Sequence, residues 1–199
     1  MNRFKSFFSS KKSLTGNSRQ MIFFILRVLI IYIVWKIIIW FLGQESTPLD
    51  ERHWPWLSAG WEKFNDWVRI FLLYATKLFF DIFGYKTFII LDYYVSVIGL
   101  ARLGIGNYCL GFQLMIFFAA LISSYPGKWQ YKILYSVLGI IAINILNIFR
   151  FIGLIYAMHA YPQYMKFNHD FVFNVIVYVF TFLMWVIIIK KDLLKSKLV

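Results

Sequence analysis

Cys109, Arg150 and His169 are the residues whose chemistry stands out in an otherwise apolar chain. Cys109 is the single cysteine in 199 residues, so it is either inert packing or a reactive group, with no intrachain disulfide open to it. As a thiolate it would be a nucleophile. It opens an apolar run, where a helix N-terminus favours charged sulfur. Gln113, one turn on, lies on the same face and can donate a hydrogen bond to it. The opposing reading is ordinary for lone cysteines in apolar spans: a small buried hydrophobe.

Arg150 lies in "NIFRFIGLIYAMHAY", residues 147–161. A guanidinium there either snorkels to lipid phosphates or faces a polar pocket. Asn147 and Asn144, one and two turns earlier, form a ladder of amides leading to it, which reads as an inward face. Amides alone also serve as glue between spans, at about 1 kcal/mol each. His169, in "NHD" at the head of the last apolar run, is the candidate general base. Asp170 beside it is placed to orient the ring, although neighbours in sequence rarely do so. His159, at the end of the previous run, is the weaker competitor.

Other chemistries lack their signatures. There is no HExxH or CxxC ligand spacing for a metal, no GxSxG and no P-loop. The serines of "ISSYPG" fall at the opposite end of their span from Cys109. A cysteine nucleophile would need no cofactor.

The elements that must position these groups follow from composition. The chain is 61% hydrophobic and 15% charged, against roughly 45–50% and about 25% in soluble domains. The apolar residues come in long blocks, so an integral membrane protein with no room for a second soluble domain is expected. The net charge of +12 forms no basic face for nucleic acid; it clusters at the ends of apolar runs, as topology signals do. Residues 1–20 are basic (Arg3, Lys5, Lys11, Lys12, Arg19) and precede an apolar run at 21–43, read as an uncleaved signal anchor despite Arg27 and Lys36. An acidic stretch at 44–66 contains Glu45, Asp50, Glu51, Glu62 and Asp66, with Pro48 and Pro55 as breakers. Residues 61–84 carry Glu62, Asp66, Arg69, Lys77 and Asp81 near one stripe, which predicts an amphipathic interfacial helix. Residues 85–107, rich in β-branched and aromatic residues and punctuated by Gly99, Gly104 and Gly106, read as a short surface hairpin or a poor spanning helix. Spans at 109–125, 134–158 and 171–189 and a basic tail at 190–199 complete the chain. The expectation is an all-α integral membrane fold. It has a single transmembrane domain over 21–189 with four, alternatively six, transmembrane helices, an interfacial helix and a short extracytoplasmic, β-hairpin-like segment before the cysteine.

Basic residues mark the cytoplasmic side. That puts both termini and the "PGKWQYK" loop inside, and the 44–66 and 159–170 segments outside. Arg150 lies 18 residues beyond Lys132, a rise of roughly 27 Å against about 30 Å of hydrocarbon. Cys109, Arg150 and His169 therefore reach one depth, near the outer boundary of the membrane.

In order and spacing the chain resembles the exosortase/archaeosortase family of membrane cysteine transpeptidases over roughly residues 61–189. Cys109-Leu110-Gly111 matches the C-x-G motif at the head of a span. Asn147-Ile148-Phe149-Arg150 matches N-x-x-R in the next, and His169 matches the histidine before the one after. Leu110 departs from the usual small residue, and the chain is shorter than full exosortases, like a compact bacterial member. The resemblance favours four spans. It implies cleavage of C-terminal sorting signals of the PEP-CTERM kind, each a short motif, a membrane helix and a basic tail on an exported protein. Cys109, Arg150 and His169 would be catalytic, with Gln113, Asn144, Asn147 and Gly111 in support, and a glycan or lipid acceptor would resolve the thioacyl enzyme. The rival from another class is a non-enzymatic membrane subunit for polysaccharide or lipid export, in which Arg150 binds a phosphate headgroup and Cys109 packs. A small transporter is disfavoured, because no span carries facing acids to couple ions.

Overall fold

The computed structural model describes residues 2–42, 54–125 and 128–196. The acidic residues Glu45, Asp50 and Glu51, the breaker Pro48, Pro126 and Gly127 of the basic loop, and residues 197–199 of the tail lie outside them. The chain is mostly helical: α1 (Asn2–Leu42), α2 (Pro55–Ile82), α3 (Phe112–Ser124), α4 (Trp129–Ala160), the single turn α5 (Met165–Phe167) and α6 (Phe173–Ser196). Among the described residues, four helical segments are long and apolar enough to cross a membrane: Met21–Leu42, Asn107–Ser124, Trp129–Ala160 and Pro162–Lys190. These match the four expected spans. The basic stretch before residue 21 belongs to the same continuous helix as the first of them.

Residues 85–107 correct the expectation of an all-α fold and do not form the spanning helix that the six-span alternative requires of them. They form a three-stranded antiparallel meander, β1 (Thr87–Ile90), β2 (Tyr94–Val97) and β3 (Arg102–Gly104), in the order β1-β2-β3. Phe88 pairs with Ser96 and Val95 with Leu103. The first turn carries Leu91 and Asp92 in the left-handed region at φ 55° and 54°. The second uses Gly99 at φ 84°, a conformation glycine adopts without steric cost. Alternation decides the faces: Val95, Val97 and Leu103 are buried, while Phe88 and Tyr94 are exposed.

Helix α2 starts six residues before the expected 61, because Pro55 opens the helix rather than breaking it. At the first helical position its missing N–H costs nothing and its φ is already helical. Its end is set by Gly84, in the left-handed region just past the last turn. The faces also differ from expectation. Phe64, Trp67, Phe71, Tyr74, Leu78 and Ile82 form an exposed apolar stripe, whereas Ser58, Asn65, Arg69 and Thr76 are buried with Val68, Leu72, Leu73 and Phe80. Arg69, read from sequence as part of an exposed polar stripe, is 1% exposed.

Two cores hold the elements together. One joins α2, the sheet and the second half of α4 through Leu72, Phe80, Val95, Leu103, Phe151 and Ile155. The other joins α3, α4 and α6 through Met115, Phe118, Ile143 and Val177. Gly139 lets α4 approach α3, since a Cβ there would lie 1.9 Å from the Phe118 ring. Helix α1 packs along α3.

Candidate active site

Cys109 lies in a short 3-10 turn, Asn107–Leu110, between the sheet and α3, rather than in the first turn of α3 itself. Both ends of that turn are tied down. At the near end, Asn107 Oδ1 accepts a hydrogen bond from the Arg69 guanidinium, which also bonds Asp66 at 2.6 Å and lies 3.8 Å over the Tyr93 ring. At the far end, the Asn147 amide donates to the Leu110 carbonyl at 3.2 Å. Gly111 then turns the chain into α3 with φ 79°. A Cβ on Gly111 would come within 2.6 Å of Asn147 Nδ2. The glycine of the C-x-G spacing is thus required twice, for its backbone conformation and for the approach of Asn147.

Between α5 and α6 the helix widens into a π turn, Asn168–Val172. The turn carries His169 to Cys109, with Nε2 3.3 Å from Sγ, across 60 positions of sequence. On the other side of the ring, Nδ1 is 2.8 Å from Asp170 Oδ1. A carboxylate only accepts, so Nδ1 carries a proton and Nε2 is the nitrogen that exchanges one with the sulfur. Asp170, adjacent in sequence, does orient the ring. The wider turn closes the angle between consecutive side chains, and π turns recur at functional sites.

Arg150 is 8% exposed, on the face of α4 that carries Asn147. It lines the same cavity as Cys109, Tyr178 and Asp170. Its Nε is buried with no hydrogen-bond partner among the described residues. Cys109, Gln113, Asn147, Arg150, His169 and Asp170 line one cavity of about 380 Å³, within the usual range for ligand sites.

Two residues weighed from sequence do not join them. Asn144 donates to the Ile140 carbonyl of its own helix at 2.8 Å and lies 3.9 Å from Met115 Sδ. His159 is exposed in the last turn of α4 and does not line the cavity. Sequence reasoning missed Asn65 and Trp35, which do line it, and the anchoring role of Arg69. The signal for Asn65 and Arg69 was the aromatic stripe of α2: it puts them, four residues apart, on the opposite face.

The arrangement sets a thiol against an imidazole with a carboxylate behind the ring and a guanidinium in the same cavity, groups of the kind that acyl transfer through a covalent intermediate uses. Among the described residues, no group of three or more His, Cys, Asp and Glu side chains has an arrangement that could hold a metal ion. No protein-family model matches the chain, nor does any curated protein or solved structure.

Proposed function

We propose that the chain is a membrane cysteine peptidase or transpeptidase of the exosortase-like kind, working at the outer face of a bacterial cytoplasmic membrane with both termini in the cytoplasm. The observation that carries this reading is the 3.3 Å contact between Cys109 Sγ and His169 Nε2, with Asp170 behind the ring and Arg150 in the same cavity. A subunit that merely packed Cys109 would have no use for that contact.

In this mechanism the thiol proton passes to His169 Nε2 and Sγ attacks the scissile carbonyl of an exported protein, just before its C-terminal helix and basic tail. Arg150 stabilises the oxyanion; losing such a donor typically costs about 10²–10³-fold in rate. Collapse of the tetrahedral species breaks the C–N bond, and the leaving amine takes its proton from His169. An amine or hydroxyl acceptor on a glycan or lipid, or water, then attacks the thioester while His169 takes its proton. Asn147 and Gly111 keep the sulfur in place. A substrate helix has an apolar flank to lie along: a second cavity of about 460 Å³ between α1 and α3 shares Gln113, Leu114 and Tyr178 with the first.

The test is processing of a co-expressed exported protein with a C-terminal helix and basic tail. Cys109→Ala is expected to abolish processing, and His169→Ala to reduce it by roughly 10²–10⁴-fold. Processing that survives Cys109→Ala would refute the nucleophile.

A further inference from the structure

The cavity around Cys109 has a wall, made by α1 and α2, that the chemistry above does not use. Two residues of that wall carry polar atoms that are buried without a hydrogen-bond partner among the described residues: Asn65 Oδ1 and Trp35 Nε1. Asn65 is only 3% exposed. Native proteins leave few buried polar atoms unpaired, and such atoms mark a water or a ligand that completes them. The two are complementary, since the amide oxygen only accepts and the indole N–H only donates. Trp61 packs edge-on against Trp35, with centroids 5.8 Å apart, which holds the indole in place. Arg69, one turn from Asn65, ties this wall to the turn that carries Cys109.

We propose that Asn65 and Trp35 form a main-chain subsite. Asn65 Oδ1 accepts an N–H from an extended peptide, and Trp35 Nε1 donates to one of its C=O groups. The inference rests on the proposed attack of Cys109 on a peptide. A peptide unit offers both partners, whereas a phosphate headgroup carries only acceptors and leaves Asn65 Oδ1 unanswered. The segment must also be unwound, because in a helix those groups are already paired internally. The substrate class is therefore an extended stretch next to the substrate's membrane helix, held through its backbone, with a residue other than proline at the bonded N–H.

The probe is acetyl-Ala-Ala-Leu chloromethyl ketone, applied to the full chain in detergent. Labelling forms an Sγ–C bond and releases chloride. With one cysteine present, Cys109→Ala is the blank, and peptide mapping assigns the adduct to Cys109 rather than to His169 beside it. Rates are expressed relative to iodoacetamide labelling of the same variant. One N-methylated version of the probe is expected to react about tenfold more slowly with the natural chain, the size of one hydrogen bond. Asn65→Leu is expected to slow the unmodified probe about tenfold and to be indifferent to that N-methyl group. Trp35→Phe, which removes the indole N–H together with part of the ring that packs on Trp61, is expected to slow it severalfold. The subsite is overturned if the N-methyl penalty persists in Asn65→Leu, or if a chloromethyl ketone on an alkyl chain of matched length labels as fast as the peptide, which would point to a lipid-like ligand. If neither iodoacetamide nor any ketone labels Cys109, the nucleophile reading fails and takes the subsite with it.

Discussion

Asp170 is half exposed, yet it fixes which nitrogen of His169 faces the sulfur. Asp170→Asn keeps the shape and allows the amide N–H to bond Nδ1, which moves the ring proton to Nε2 and spoils the base. Because solvent reaches the pair, the expected loss is modest, about tenfold in the rate of Cys109 alkylation at neutral pH. An unchanged rate would remove Asp170 from the site. At this scale much was legible: Cys109, Arg150, His169, Asn147 and Gly111 stand out as unusual types at motif spacing, and all line the cavity. Asp170 was undervalued because regular helices splay neighbouring side chains by about 100°. Asn65 was passed over because an asparagine in a mixed polar segment carries no signal until the helix faces are assigned.

The element that ties down the turn carrying Cys109 is α2, reaching across through Arg69. Arg69→Met would strand Asp66 and Asn107 and remove the stacking on Tyr93. The expected destabilisation is roughly 1–3 kcal/mol, because Asn107 Oδ1 and the Tyr93 ring lose their buried partner while Asp66 is half exposed. It would be read as a lower unfolding midpoint in detergent. A midpoint shift under about 0.5 kcal/mol, the level of a neutral surface change, would show that α2 is not coupled to the turn. Apolar block length made the first two spans legible to within two residues, whereas the third and fourth helical segments begin five and nine residues before the expected 134 and 171. It did not reveal the third strand, because Arg102–Gly104 is too short to leave a pattern. Nor did a proline at residue 55 declare whether it ended one element or began another.

For the whole molecule, the proposed topology puts the cavity mouth on the external side. A membrane-impermeant maleimide is therefore expected to label Cys109 in intact cells as completely as in permeabilised ones. Labelling only after permeabilisation would invert the orientation read from the charge pattern. The exposed aromatic stripe of α2 and the outward apolar surfaces of α1, α4 and α6 suit the same setting, since each large side chain left uncovered by protein would meet lipid.

The π turn at Asn168–Val172 has one more consequence. It is a regular helix carrying one surplus amino acid, so the imidazole reaches the thiol only through that insertion. Deleting Phe171 or Val172 would restore ordinary winding and swing the ring by about 100° relative to the last helix. The last helix would keep its length and greasiness while the contact between thiol and imidazole came apart, so a one-codon deletion separates the fold from the proposed activity.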